Sequence, residues 1–504
     1  MAGKRFDLLK RWAPVGLFLL AAALRFINLN GRPVWYDEAF AILYAEKSLG
    51  AILSGTLTPV QGAAADVHPV AFYFLLHGWM TLVGQSPLAV RMLSVWWGVG
   101  TVALVYRLIR ELFPTRVACW SALVMALAPF QIAYSQEARM YAMLGFWSTA
   151  ALVAWVRASR TDLWRSWVPF SLCGALALYS HNLGFALFAA LGIAVMVRAI
   201  WVGAWRVAFK TALAGLGMGV IFVPWLMQVP GQFSKVAQAY WVTRPGILTL
   251  VQTLITFAFD FENAVFPRWL LPFALFGALL VLTLVIWQAW AQRKSVPSSL
   301  GVLAMLAGLP IVIVFAISQW FPVYIIRGMI PAAIVYTALV GWALAVMPRS
   351  ARIVFGAPLG VLVMVVLFAF YGYTGFPRGP YAALDAFLRA QSQPGDVILH
   401  SNKLTFFPAH LYDRTLPQVF LGDPPGSGSD TLARPTQEAL GLFPTDLETA
   451  TANHSRVWLI IFRQAVAEVE GDHVHLAWLS ERFATVQTFT FGNMDVILFA
   501  RRPV

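Results

Sequence analysis

Two adjacent carboxylates, Asp37 and Glu38, sit in Trp35-Tyr36-Asp37-Glu38-Ala39-Phe40, just past the first hydrophobic segment of the chain. Ionisable groups beside a bilayer are costly to desolvate, so each is a candidate for function. A carboxylate at the lip of a membrane can take the proton of a hydroxyl that attacks a lipid-borne electrophile. The transfer comes late, because the hydroxyl becomes acidic only as its new bond forms. Other polar groups recur at the ends of apolar segments. They are Asp66 and His68 before Pro69, then Glu137, Arg139 and Tyr141 within Gln136-Glu137-Ala138-Arg139-Met140-Tyr141. Further along come His181 in Tyr179-Ser180-His181-Asn182, Asp260 and Glu262, and Arg327 in Tyr324-Ile325-Ile326-Arg327-Gly328. A departing phosphate needs compensating positive charge. Arg139 or Arg327 could supply it in bidentate form, with help from His68 or His181.

Each of these groups also has a plainer use. Asp37 and Glu38 could be solvated loop charges or favourable charges at a helix start. Glu137 and Arg139 could pair with neighbours to hold two helix ends, and Tyr141, on the same helix face as Glu137, could be an interfacial aromatic. His68 could cap a surface helix, and His181 could be an ordinary turn residue. Arg327 could snorkel to lipid headgroups, and Asp260 and Glu262 could be loop charges.

The scaffold that must position them is apolar. Charged residues make up 12% of the 504, against about 25% in soluble domains, and 59% are hydrophobic, which implies an integral membrane protein. The 21 tryptophans suit interfacial belts. The net charge of +13 is scattered in short clusters between apolar segments, which argues against nucleic acid as a partner. At roughly 20 apolar residues per span, helices are expected near 12–29, 88–109, 117–134, 141–157, 166–180, 183–200, 210–229, 269–290, 299–318, 328–347 and 352–372. The basic clusters then fall on one side: Lys4 to Arg11, Arg110 and Arg116, Arg157 to Arg165, Arg206 and Lys210, Arg293 and Lys294, Arg349 and Arg352. By the positive-inside rule that side is cytoplasmic. The amino terminus is then inside, as an uncleaved first helix rather than a signal peptide.

The opposite side receives a long first loop (30–87), short turns at 135–140 and 180–183, a loop at 230–268, and the carboxy terminus. The first loop contains amphipathic pieces at 39–53 and 69–83 that suit helices lying on the membrane. From 376 onward glycine, proline and charge increase and period-two runs appear at 396–401, 456–462, 483–491 and 494–501. The last two, joined at Gly492-Asn493, read as a hairpin. With helical pieces at 381–391 and 436–443 and a flexible loop at 422–430, residues 376–504 read as a small extracytoplasmic α/β domain after a membrane domain of residues 1–375. Cys119 and Cys173 lie in apolar stretches and read as buried thiols. No Walker, Rossmann, serine-hydrolase, HExxH or paired-cysteine motif occurs.

Taken together, Asp37-Glu38, His68-Pro69, Gln136 to Tyr141 and Arg327 resemble the GT-C superfamily of polyprenyl-phosphate-sugar-dependent glycosyltransferases, over most of the chain. The nearest branch is similar to protein O-mannosyltransferases and the lipid A aminoarabinose transferase. The resemblance implies a polytopic α-helical membrane enzyme of about eleven spans. It would move a sugar from a polyprenyl-phosphate donor to an extracytoplasmic acceptor that is protein, lipid or glycan. In that family the first-loop acid, here Asp37, acts as the base. Glu38 is then its catalytic neighbour, and His68, Glu137, Arg139, Tyr141, His181 and Arg327 contact substrate. Because phosphate is already a good leaving group, direct displacement with inversion is expected and no general acid is required. A divalent cation is an open option, for which Asp37, Asp66 and His68 offer ligands. The rival classes are a transporter or lipid flippase, which usually places charges at mid-helix in broken, repeated segments, and a non-catalytic envelope-assembly protein. No repeat is evident, and the charges cluster at helix ends.

Overall fold

The computed structural model describes residues 2–161, 163–238, 242–259, 267–292, 298–423, 432–467 and 473–502. Asp260, Glu262, Arg293, Lys294 and most of the loop expected at 422–430 lie outside these residues.

The chain opens with α1 (Ala2–Phe26), followed by three helices in the first loop: α2 (Tyr36–Ala45), α3 (Leu49–Leu57) and α4 (Ala71–Val83). The bundle continues through α5 (Pro87–Leu112), α6 (Thr115–Leu127), α7 (Pro129–Ser135), α8 (Tyr141–Ala158), α9 (Val168–Ser180), α10 (Phe185–Val202) and α11 (Trp205–Leu226). After α12 (Val229–Gln238) and α13 (Ile247–Phe259) come α14 (Leu271–Ala291), α15 (Ser298–Ile317), α16 (Ile330–Val346) and α17 (Arg349–Gly372). All eleven expected segments are helical. Among the described residues, seven helices are long and apolar enough to span a membrane, and an eighth if α6 and α7 count as one span bent by 59°. The bend lies at Ala128-Pro129, where proline cannot donate the hydrogen bond that would continue α6 but suits the first turn of α7. The segment expected as a loop at 230–268 instead holds α12 and α13; the apolar run of α13 buries Ile255, Phe257 and Phe259.

Local chemistry sets the element ends. Ser86 caps α5 by accepting the N–H of Ala89, with Pro87 in the first turn, and Gly203 ends α10 at φ +73°. Two glycines allow close helix approach. A Cβ on Gly341 would fall 2.3 Å from the Ser121 Cα, and this contact lets Ser121 Oγ donate to the Ala338 carbonyl at 2.9 Å. A Cβ on Gly98 would fall 2.1 Å from Ser135 Oγ, in the space where Arg25 Nε donates to that hydroxyl. Cys119 and Cys173 are half-buried free thiols rather than fully buried ones.

The carboxy-terminal region begins with α18 (Tyr381–Gln391), β1 (Val397–His400), α19 (Lys403–Tyr412) and β2 (Gln418–Phe420). It continues with α20 (Arg434–Leu440), α21 (Leu447–Thr451), β3 (Arg456–Phe462), α22 (Arg463–Ala467), α23 (Val474–Arg482), β4 (Phe483–Phe491) and β5 (Met494–Arg501). The sheet order is β2-β1-β3-β5-β4, with β2, β1 and β3 parallel and β5 antiparallel to both β3 and β4. Helices α18 and α19 cover one face and α21 and α23 the other. This sheet unit rests on the first loop. The Phe407 ring meets Tyr36 edge-on at 5.5 Å, Thr436 Oγ1 donates to the Gly55 carbonyl, and Arg414 pairs with Glu46 at 2.8 Å.

Candidate active site

The start of α2, the turn before α8, the turn after α9 and the short turn Ile326–Met329 before α16 converge at one end of the bundle. Asp37 lies in the first turn of α2, where a carboxylate is favoured by the helix dipole. Its Oδ2 faces Arg327 Nη2 at 3.2 Å and Arg139 Nε at 3.9 Å, while Arg139 Nη1 reaches the Asp37 carbonyl at 3.5 Å. Arg327 also sits over the rings of Trp35 and Tyr141, 5.7 and 5.4 Å from their centroids. The Asp37 side chain remains 15% exposed, so it lies at a lip.

Glu38 departs from the expected catalytic role. It is fully buried, and its carboxylate accepts from Arg91 Nε at 2.7 Å and Nη2 at 2.8 Å, Arg378 Nη1 at 2.9 Å and the Ala138 N–H at 3.1 Å. Burial alone would push this carboxyl up; Arg91, Arg378 and the Ala138 N–H overcome it and hold the group at about 2. Both of its oxygens are occupied by protein donors. It fixes the first turn of α2 and thereby aims Asp37. Glu137 belongs to the same network, with Oε1 accepting from Arg378 Nη2 at 2.9 Å. Tyr141 is likewise buried inside the bundle rather than interfacial, edge-on to Tyr134 at 5.2 Å.

Arg91 and Arg378, absent from the expected set, are thus the main partners of Glu38. Arg91 also donates to the carbonyls of Leu29 and Arg32, which ties down the chain between α1 and α2. Gln136 does the same by donating to the carbonyls of Arg25 and Ile27.

His68 Nδ1 contacts Asp66 Oδ1 at 2.9 Å, and that oxygen also accepts the N–H groups of Val67 and His68. Burial raises the Asp66 carboxyl, but His68 and Lys235 outweigh it and hold it well below the usual range. The His68 ring stands edge-on to His181 at 5.9 Å. His181 Nδ1 accepts the Leu183 N–H at 3.1 Å, so the neutral ring carries its proton on Nε2. That Nε2 is buried with no hydrogen-bond partner among the described residues. A buried donor left unpaired costs about 1–3 kcal/mol, and a ligand oxygen would relieve it.

Burial, then His68, Arg139 and Arg327, lower the affinity of His181 for a proton well below that of a free imidazole. The unfolded ring, titrating near about 6.5, would therefore take up a proton that the folded ring refuses. The stability from this site is present above about pH 6.5 and is lost as pH falls from there toward the lower folded value. A His181→Gln variant should lose less thermal stability between pH 7 and pH 5 than the parent protein. Parallel pH slopes in thermal unfolding would show that His181 is not the group responsible.

Among the described residues, no three histidine, cysteine or carboxylate side chains converge as metal ligands. Asp37 faces two guanidiniums and Asp66 is bound to His68, a donor set that does not fit a divalent cation.

These groups gather at one end of a polytopic, apolar helical bundle whose fold is similar to those of two solved membrane proteins. The match to ArnT from Cupriavidus metallidurans bound to undecaprenyl phosphate has a TM-score of 0.61 at 15% identity, covering 96% of this chain and 97% of that one. The apo form of the same protein gives 0.64 at 14% identity, covering 99% and 98%. The Archaeoglobus fulgidus oligosaccharyltransferase in its apo form gives 0.55 at 14% identity, covering 98% of this chain and 74% of that one. Residues 67–228 match the family model described as dolichyl-phosphate-mannose-protein mannosyltransferase. A Bacillus subtilis protein named as a mannosyltransferase, YycA, is 31% identical over 160 residues, 29% of this chain; the match spans about a fifth (21%) of that relative's length. The family match takes in His68, Glu137, Arg139, Tyr141 and His181, while Asp37, Glu38 and Arg327 lie outside it.

Proposed function

We propose that this protein is a glycosyltransferase that moves a sugar from a polyprenyl-phosphate donor to an acceptor hydroxyl on a protein, lipid or glycan. The observation that carries this reading is the Asp37 carboxylate at the lip of the bundle, 3.2 Å from Arg327 and 3.9 Å from Arg139. The acceptor oxygen attacks the anomeric carbon as the bond from that carbon to the phosphate oxygen breaks. The bonding pair leaves with the phosphate, and the acceptor proton passes to Asp37. Direct displacement inverts the anomeric carbon. A guanidinium has five N–H donors and can hold a carboxylate and a phosphate oxygen together. Arg327, with Arg139 beside it, therefore receives the leaving phosphate, and the Nε2 proton of His181 is available to a donor or acceptor oxygen. Glu38 and Glu137 act through Arg91 and Arg378, as positioning residues.

The undecaprenyl phosphate bound to the structurally similar ArnT supports a lipid-phosphate donor. Charges gathered at helix ends on one side of the bundle favour this reading over a transport pathway. In this reading the chain is a multi-pass protein of the inner (plasma) membrane, with its amino terminus cytoplasmic and the site extracytoplasmic. Residues 1–375 form the membrane domain, and residues 376–504 form a domain beside the site that contributes to acceptor choice.

The test is transfer of labelled sugar by purified protein from synthetic polyprenyl-phosphate sugars. Arg327→Gln should raise the donor KM by about tenfold to a hundredfold, the range for one charge-assisted hydrogen bond, and Arg327→Lys should restore part of it. An unchanged donor KM would sink the phosphate role of Arg327. No transfer by the parent protein from any such donor would sink the function.

A further inference from the structure

A cavity of about 280 Å³ lies at the other end of the bundle, far along the helices from Asp37. The last turns of α5, α8 and α10 and the first turns of α11 and α15 line it, with apolar walls that include Leu108, Leu152, Trp155, Leu303 and Leu306. Its rim is polar and basic, formed by Ser159, Arg160, Arg198 and Ser299. Arg160 pairs with Glu111 at 2.7 Å, and Arg107 and Arg157 contact the same carboxylate at 3.0 Å. Three guanidiniums thus share one carboxylate beside the cavity, and the surroundings are net positive. Arg198 Nε is buried with no hydrogen-bond partner among the described residues.

An apolar slot opening on a cationic rim matches one kind of occupant: an amphiphile with an apolar chain and an anionic headgroup. Basic pockets between transmembrane helices bind acidic lipid headgroups for this reason. The rim arginines occur where basic residues border the apolar spans, which is the depth of the headgroups of that leaflet. We propose that this cavity binds an anionic phospholipid, with one acyl chain between α5, α8 and α15 and its phosphate on Arg198 at the rim. The site is separate from the cluster around Asp37, and it stands whether or not the transfer reaction does.

The experiment measures lipid binding to delipidated, purified full-length protein by native mass spectrometry and by the shift in unfolding temperature. The probes are phosphatidylglycerol, phosphatidylcholine and undecaprenyl phosphate. Phosphatidylglycerol should bind and raise the unfolding temperature, and phosphatidylcholine should not. Arg198→Gln should weaken phosphatidylglycerol binding by about tenfold or more, the loss expected for one charge-assisted hydrogen bond. Leu303→Trp, which fills the slot, should do the same. Arg165→Gln removes an equal charge from an exposed site outside the cavity and should bind like the parent. Equal binding of phosphatidylcholine, or phosphatidylglycerol binding that ignores Arg198, would overturn the proposal. So would Arg198-dependent binding of undecaprenyl phosphate alone, which would give the cavity to the donor lipid instead.

Discussion

Asp37→Asn should reduce sugar transfer by about 10²- to 10⁴-fold, the usual contribution of a positioned general base, while the protein folds and binds its donor. The substitution keeps the shape of the side chain and its contact with Arg327 but removes the proton acceptor. Binding of a non-transferable donor analogue should therefore change little, and the loss should appear in kcat. Donor affinity and turnover are measured separately on the same preparation, since a collapse of both would report a displaced Arg327 rather than a missing base. An Asp37→Asn protein that retained more than about a tenth of parental turnover would remove Asp37 from the base role.

Glu38→Gln, one residue away, should behave oppositely and act on stability. Breaking one side of a buried ion pair costs about 3–5 kcal/mol because the surviving charge is left without compensation. Here Arg91 and Arg378 would face a neutral amide, so the unfolding temperature should fall steeply while turnover per folded molecule falls far less than in Asp37→Asn. The control is Glu438→Gln, in an exposed i,i+4 pair with Arg434, which should change stability by no more than about 1 kcal/mol. A Glu38→Gln protein as stable as its parent would contradict the four-donor geometry. The sign with pH follows the same logic. Glu38 is held at about 2 in the folded chain, below the ordinary glutamate value near about 4.3. Its stabilisation is complete above that value and disappears as pH falls toward 2.

Part of this cluster is legible in the sequence because polar residues at the ends of apolar runs stand out against their surroundings. Asp37, Arg139, His181 and Arg327 were visible in this way. Arg91 was not, since an arginine in the first turns of a long apolar helix reads as one more basic residue near an interface. Its role appears only when α5 packs against the loop carrying Glu38. Arg378 was hidden in Phe376-Pro377-Arg378-Gly379-Pro380, where glycine and proline read as a linker. Adjacency in sequence also misled: Asp37 and Glu38 point to opposite surroundings because successive residues in a helix lie about 100° apart. In the carboxy-terminal region the long strands β3, β4 and β5 showed their alternation. Three-residue β2 offered too short a run to show any, and α13 was hidden in a stretch expected to be a loop.

The position of Arg378 bears on how such proteins can be recombined. Its guanidinium reaches the Pro33 carbonyl, Glu38 and Glu137, so although it follows the last membrane helix it works as a part of the membrane bundle. A chimera that exchanges the sheet unit for that of a relative must keep Arg378 with the host helices and join the chains after it. A junction at 375 would remove the arginine together with the host's own sheet unit and take away the guanidinium that Glu38 and Glu137 share. For such an exchange the working boundary is set by the contacts of Arg378, three residues beyond the change in composition.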